Sequence, residues 1–252
     1  MEKNTRALLL VGHGSSLTRD ASAPVYEHAA RIRKRRHFDE VHVAFWKEPP
    51  WICDALGLIA CDDVYVVPMF LAEGYFTRRV VPRELGPTRP AHLCPALGAH
   101  PCMARLVAKR AASVPVPRRQ TALVVVGHGT ERIATSSDTV RRVTRELRER
   151  SGFARVACGF LDEQPRIESV VNDIDAAHVV LVPFFMGEGY HTRTTIPGVL
   201  GLEGARTTRG GRVLWYTKPV GTLPEVAMAA VTLTHRMGGW AGRMSARAAR
   251  DN

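Results

Sequence analysis

Two short stretches carry the residues best able to do chemistry. Val124-Val125-Val126-Gly127-His128-Gly129-Thr130 ends a hydrophobic run in a Gly-His-Gly turn, and Leu9-Leu10-Val11-Gly12-His13-Gly14-Ser15 does the same earlier. An imidazole at the tip of a buried strand can ligate a borderline divalent metal or take up a proton near neutral pH. His13 and His128 stand 115 positions apart, and that offset recurs. Phe45 aligns with Phe160, Glu48 with Glu163, Pro50 with Pro165, Pro68 with Pro183 and Phe70 with Phe185. Glu73-Gly74-Tyr75 aligns with Glu188-Gly189-Tyr190, Thr77-Arg78 with Thr192-Arg193, and Pro82 with Pro197. Farther on, Gly98 and Pro101 correspond to Gly221 and Pro224 at an offset of 123, so the second copy holds eight extra residues. A repeat on this scale decides architecture before any other signal.

The register isolates one difference. His191 follows Gly189-Tyr190 in the second copy, whereas Phe76 stands at the matching place in the first. Only the second copy pairs its turn histidine with another histidine. His128, His191 and a carboxylate from the Asp162-Glu163-Gln164 segment form a workable set for holding a divalent metal or for accepting protons. The active site is therefore expected in the second copy. His13 is expected to keep a structural or substrate-contacting role as part of the opposing wall.

The elements that must position these groups follow from apolar runs and breakers. Strands are predicted over 7–11, 41–45, 64–68 and 91–94, with helices over 24–36, 50–59, 77–85 and 101–113. The second copy repeats the order, with strands over 122–126, 156–160, 179–183 and 213–216 and helices over 138–150, 165–172, 192–202 and 224–237. Strands alternating with helices imply right-handed βαβ units and parallel sheets covered on both faces. The expected fold is α/β: two similar doubly wound parallel-sheet domains, 1–114 and 120–240, joined by a proline- and arginine-rich linker over 113–119 that belongs to neither core. The tail from Gly238 is expected to fray. In such sheets ligands bind beyond the carboxyl ends of the strands, where His128, the 162–164 segment and the 188–191 loop all lie.

Composition narrows the classes. The 252 residues have 45% hydrophobic content, enough for a sizeable core, and no apolar run approaches the roughly 20 residues needed to span a bilayer. With no secretory leader pattern, a cytoplasmic protein is expected. Five cysteines without any C-x-x-C argue against a disulfide framework or zinc ribbon, and the loose Cys94, His100, Cys102 cluster lacks compact ligand spacing. The net charge of +11 favours anionic partners. The densest basic run, 31–36, has no interleaved aromatics and reads as a solvated helix face, so no nucleic-acid partner is expected.

The combined pattern resembles the class II tetrapyrrole chelatases, the sirohydrochlorin cobaltochelatase and ferrochelatase family, in two tandem units. It comprises the strand-Gly-His-Gly turn, Phe-x-x-Glu-x-Pro, Pro-Phe-Phe-x-x-x-Gly-Tyr-His and Pro-x-Gly-x-x-Pro, and it covers nearly the whole chain. The resemblance implies insertion of Co2+, Fe2+ or Ni2+ into sirohydrochlorin or a related tetrapyrrole, as in cobalamin or siroheme biosynthesis. His128 and His191 would present the metal and accept pyrrole protons. Glu163 would be the assisting carboxylate, with Asp162 or Glu48 as alternatives. Substrate contacts are expected from His13, Glu48, Thr130, Tyr190, Arg193 and Phe76. Phe70, Tyr75, Phe184, Phe185 and Met186 would add apolar walls, and Arg78, Arg79 and Arg132 a basic rim. No cofactor beyond the substrate metal is expected, and the tandem repeat favours a monomer. The competing reading is a non-catalytic tetrapyrrole or metal carrier.

Overall fold

In the computed structural model, which describes residues 5–16, 21–130 and 137–237, the apolar runs form two separate sheets. β1 (Arg6–Gly12), β2 (Glu40–Phe45), β3 (Asp63–Pro68) and β4 (His92–Leu93) lie in the parallel order β2-β1-β3-β4. β5 (Thr121–Gly127), β6 (Arg155–Phe160), β7 (His178–Pro183), β8 (Arg206–Arg209) and β9 (Arg212–Tyr216) lie in the order β6-β5-β7-β9-β8. Continuous valine and leucine runs suit such strands because both faces are covered. The register repeats with the sequence. Val11 pairs with Pro68 as Val126 pairs with Pro183, and Tyr65 pairs with His92 as Val180 pairs with Trp215.

The eight extra residues of the second copy accommodate β8, which returns antiparallel on β9 through Gly210 and Gly211, both at positive φ. This strand was not expected. Arg206-Thr207-Thr208-Arg209 has no apolar run, and only Thr207 is buried. The paired glycines were its one signal.

The long helices match their predicted spans closely: α1 (Ala23–Arg35), α4 (Met103–Ala111), α5 (Asp138–Arg150) and α8 (Val226–Met237). The short ones differ. The expected 50–59 helix is one turn, α2 (Ile52–Ala55), followed by a 3-10 turn, and its counterpart is α6 (Ile167–Asn172). The expected 77–85 and 192–202 helices open as π-helical turns, Phe76–Val80 and His191–Thr195, before α3 (Val81–Leu85) and α7 (Ile196–Leu200). Pro82 and Pro197 sit at the junctions. Each lacks the N–H that would bond four residues back and crowds that carbonyl, so the preceding turn widens.

Alternation along the strands sends one face of each sheet outward and the other into a common core. Leu8, Leu10, Val43 and Val67 of the first sheet share one apolar cluster with Leu123, Val125, Val180 and Val182 of the second. The outer faces pack separately, under α2 and α3 in the first half and under α6 and α7 in the second. The shared core contains an exchange. α4 of the first half packs on α5 and β7 of the second, and α8 of the second half packs on α1 and β3 of the first. The sequence boundary between 114 and 120 thus separates the repeats without separating the packing. The 113–119 linker also differs from expectation, because Val114 and Val116 tuck against the shared core while Pro115 and Pro117 stay exposed.

Two glycines lock each helix-bearing segment to a loop. At Gly98 a Cβ would lie 1.9 Å from the Leu71 carbonyl oxygen, and at Gly221 it would lie 2.3 Å from that of Met186. Neither backbone can retreat from a packed core. Gly98→Ala is expected to lower unfolding stability by about 2–4 kcal/mol, measured by urea or thermal denaturation. A loss below about 0.5 kcal/mol would show that this contact relaxes freely.

Candidate active site

The site stands where the strand order of the second sheet reverses. β5 leads one way to β6, while β7 lies on its other side, so the turn after β5 and the loop after β7 flank one crevice. His128 follows β5 and His191 ends the loop after β7. The register that sets Val126 beside Pro183 aligns the two strand ends and brings the rings together.

The Gly-His-Gly turn has a steric logic at both glycines. A Cβ on Gly127 would meet the Phe160 ring at 2.9 Å. Gly129 has φ +71°, a left-handed conformation that L side chains rarely adopt, and faces Glu163 Cβ at 2.7 Å. The His128 carbonyl accepts backbone N–H groups from Leu161 and Asp162 at 3.0 and 2.9 Å, so the turns after β5 and β6 are bound to one another.

The two imidazoles meet edge to face, with ring centroids 4.5 Å apart, and their Nε2 atoms are 3.2 Å apart. His128 Nδ1 lies 2.8 Å from the Gly129 carbonyl oxygen, an acceptor only, so Nδ1 carries the hydrogen and Nε2 presents a lone pair. His191 Nδ1 is 3.3 Å from Thr195 Oγ1, a hydroxyl that can accept or donate. His191 can therefore adopt either tautomer: its Nε2 can donate to His128 in one and offer a lone pair in the other. Burial is the main cause that lowers the His191 pKa, helped by repulsion from His128 and opposed by Asp162. The shift favours the neutral ring, the form that a metal ligand or proton acceptor takes.

The π-helical turn aims His191. Gly189 N–H donates to Thr192 Oγ1 at 2.9 Å, and the Tyr216 hydroxyl on β9 donates to the Thr192 carbonyl at 2.8 Å. Tyr216 was not anticipated, and its sequence position carries no signal of that bond.

The carboxylates differ in their surroundings. Glu163 accepts from Thr130 N–H at 3.2 Å, Ser137 Oγ at 2.7 Å and Arg141 at 2.8 Å. Its burial works against the charge, but these hydrogen bonds outweigh it and hold the carboxyl below its ordinary range. Asp162 is exposed and its Oδ2 lies 3.4 Å from His128 Nδ1. Glu48 is the first-half counterpart of Glu163 and accepts from Ser15 N–H at 3.1 Å, within its own half.

In the first half the corresponding crevice is an aromatic cluster. His13 lies 5.4 Å from the Trp46 ring and 5.5 Å from Phe76, and Phe76 lies 4.7 Å from Phe70. Lys47, aligned with Asp162, places Nζ 3.7 Å over Trp46. This charge reversal was readable from the register and was missed.

The remaining expected contacts fall variously. Tyr190 and Tyr75 are 72% and 59% exposed, at matching places in the two halves. Phe185 lies 6.4 Å from His191. Phe184 is a core residue at 5% exposure rather than a wall, and Met186 packs largely against the shared core. Arg193 pairs with Glu188 at 3.1 Å and Arg78 with Glu73 at 2.9 Å, while Arg79 is exposed. Arg132 and the tail from Gly238 lie outside the described residues. Among the described residues, no group of three or more His, Cys, Asp or Glu side chains is disposed to hold a metal, and no helix is long and apolar enough to cross a membrane.

Doubled parallel α/β sheets with a histidine pair at the second switch point are the build of a two-unit tetrapyrrole chelatase, an enzyme that inserts metal. The CbiX family model matches residues 7–114 and again 122–235, and the chain belongs to that family. A probable sirohydrochlorin cobaltochelatase of Halobacterium salinarum is 36% identical over 257 residues, covering 88% of each chain. A sirohydrochlorin cobaltochelatase of Methanococcus aeolicus is 33% identical over 85 residues, 32% of this chain and 59% of that one. Among solved structures, a Deinococcus radiodurans multi-domain protein described as similar to chelatases superposes with TM-score 0.80 at 28% identity. The match covers 92% of this chain and 54% of that longer protein. SirB from Bacillus subtilis with Fe3+ superposes with TM-score 0.79 at 18% identity over 95% and 98% of the two chains, a likeness of fold.

Removing one imidazole tests the electrostatics of the pair. His128→Ala deletes the repulsion but leaves the burial, so the His191 pKa is expected to rise while staying below the ordinary imidazole value. Proton NMR titration of the His191 ring reads this directly, and an unchanged or lower pKa would show that the rings do not interact.

Proposed function

We propose that the chain inserts a divalent metal, Co2+ or Fe2+ with Ni2+ as a further candidate, into sirohydrochlorin or a closely related tetrapyrrole, with His128 and His191 as the metal-presenting pair. The observation that carries this reading is the 3.2 Å separation of the two Nε2 atoms. A metal about 2.1 Å from each nitrogen would bind both at an angle of roughly 100°. Such an angle suits tetrahedral or octahedral coordination, and the remaining positions stay open for pyrrole nitrogens. A metal held by two neutral imidazoles can be passed on, and histidine donors accept cobalt, iron and nickel alike.

Insertion exchanges one divalent ion for two pyrrole N–H protons, so charge balances and no electron moves. As the metal leaves, His191 Nε2 regains a lone pair and can accept one proton. Asp162, exposed beside His128, is the carboxylate we assign to proton removal and to holding the Nδ1–H tautomer. Glu163 is assigned to the turn. Apolar macrocycle faces would lie against Phe185 and Tyr190 on one side and His13 and Phe76 on the other. Arg193, with Arg78 and Arg79, would meet peripheral carboxylates. The relatives' names support this substrate class, and the tandem repeat supports a monomer in which each unit supplies one wall.

The direct test is the visible-spectrum rate of Co2+, Fe2+ and Ni2+ insertion into sirohydrochlorin above the spontaneous rate. His128→Ala and His191→Ala are each expected to lower kcat by about 10²-fold or more. If His191→Ala runs like the unsubstituted chain, the assignment fails.

The carboxylate roles separate by stability. Asp162→Asn is expected to slow insertion about tenfold or more with little change in unfolding. Glu163→Gln is expected to cost about 1–3 kcal/mol of stability at neutral pH. The folded-state pKa of Glu163 is depressed, so this contribution is present above the unfolded carboxyl pKa and is lost as pH falls through the folded one. The stability gap between the two chains should close on acidification. The reverse pattern of effects in the two variants would exchange the roles.

A further inference from the structure

His28 belongs to α1 of the first half, far in sequence from the second-half crevice, and is 1% exposed. Its Nε2 lies 2.7 Å from the carbonyl oxygen of Gly221, in the second half. A carbonyl only accepts, so Nε2 carries the hydrogen and donates. Nδ1 is buried with no hydrogen-bond partner. A half-satisfied histidine inside a core costs stability, and leucine would fill the space without that cost.

The bond leads to the active-site loop. Gly221 donates its own N–H to the Phe185 carbonyl at 2.9 Å, and its Cα is pressed against Met186, where a Cβ would lie 2.3 Å from the carbonyl oxygen. Phe185 and Met186 begin the loop that ends in His191. α1 supports the same loop at a second point: a Cβ on Gly187 would lie 2.7 Å from Pro24 Cγ, in the first turn of α1. One first-half helix therefore holds the loop both through Gly221 and directly. The reciprocal contact exists with different chemistry. Arg142 of α5 donates to the Gly98 carbonyl at 2.9 Å, and Gly98 N–H donates to Phe70 at 2.9 Å. That loop ends in Phe76, which holds no metal and moves no proton.

We propose that His28 is a positioning residue for metal insertion: by donating to the Gly221 carbonyl across the two halves, it fixes the 184–190 loop and holds His191 Nε2 opposite His128 Nε2. The proposal rests on the reading that His128 and His191 present the metal. It gives the first half a task in the reaction that does not require a histidine at position 76.

The test compares His28→Leu, which removes the donor, with His28→Gln, whose side-chain amide places an N–H near the same point. Co2+ is titrated into each full-length chain and followed by its visible d–d absorption, and kcat and KM for sirohydrochlorin are measured separately. His28→Leu is expected to weaken Co2+ binding and lower kcat about tenfold, with KM for the tetrapyrrole changed less than about twofold. His28→Gln is expected to return both to within about threefold of the unsubstituted chain. Gly187→Ala, which presses the loop against Pro24, is expected to alter the Co2+ spectrum as His28→Leu does, and it serves if His28→Leu does not fold. A wild-type Co2+ spectrum and kcat in folded His28→Leu, or in Gly187→Ala where His28→Leu does not fold, would overturn the proposal. Equal loss in the leucine and glutamine variants would overturn it too, because packing alone would then account for both. His191→Ala separates the failures. If it is inactive while His28→Leu is normal, only the positioning role is lost, and if it is fully active, the metal-site reading falls and the positioning role with it.

Discussion

Each sheet can bury its inner face only with a helix lent by the other half. α4 lies on β7 and α8 lies on β3, and a single apolar cluster runs through both halves. The hydrophobic effect is non-directional, so area alone would not require an exchange. The crossing matters because β3 and β7 are the strands whose ends launch the 69–75 and 184–190 loops. The lent helices and the short turns before them, with Gly98 and Gly221, set the floor under those loops. The active crevice of one half is thereby held by contacts with both.

With the frame held in common, the two crevices diverge as sets of residues. His191, Asp162, Thr195 and Leu161 stand where the first half has Phe76, Lys47, Val80 and Trp46. Removing the second imidazole also removes the hydroxyl that oriented it. The carboxylate beside the first imidazole becomes an ammonium resting over an indole ring. Losing His191 or Thr195 alone would leave the other without the contact between them, whereas the first half has an aromatic cluster beside His13. The shared clamp persists, since Glu48 and Glu163 both bind the backbone N–H that follows their Gly-His-Gly turn. The clamp therefore belongs to the fold, whereas the imidazole pair is confined to one half.

The sequence made the parallel order, the repeat and the convergence of His128 with His191 readable, because each rests on local pattern and on strand ends that register carries faithfully. What it concealed depends on distance in space. β8 is polar and has no period to detect. The π-helical turns arise from prolines that read simply as helix starts. The helix exchange leaves no mark, because α4 and α8 are apolar on the same faces whichever sheet they cover. Glu163 lies in the expected segment, but alignment places a residue and not its oxygens, which turn toward Arg141 and Ser137. The His128–Asp162 approach was open as an alternative, and the Lys47–Asp162 reversal would have strengthened it had charge been compared along the register.

A pair of imidazoles without a third protein ligand is a poor store for a metal and a good point of transfer. A closed four-ligand site holds its ion so firmly that removal unfolds or disorders it. Here Asp162 approaches His128 from Nδ1, the side away from the Nε2 that faces His191. It can raise the basicity of the donor without occupying a coordination position. On the proposed reading, binding strength would depend on ring orientation, which the Gly129 carbonyl and Thr195 govern at short range. An ion held in the proposed way would exchange readily, and discrimination among cobalt, iron and nickel would then fall to their supply and to the macrocycle that removes them.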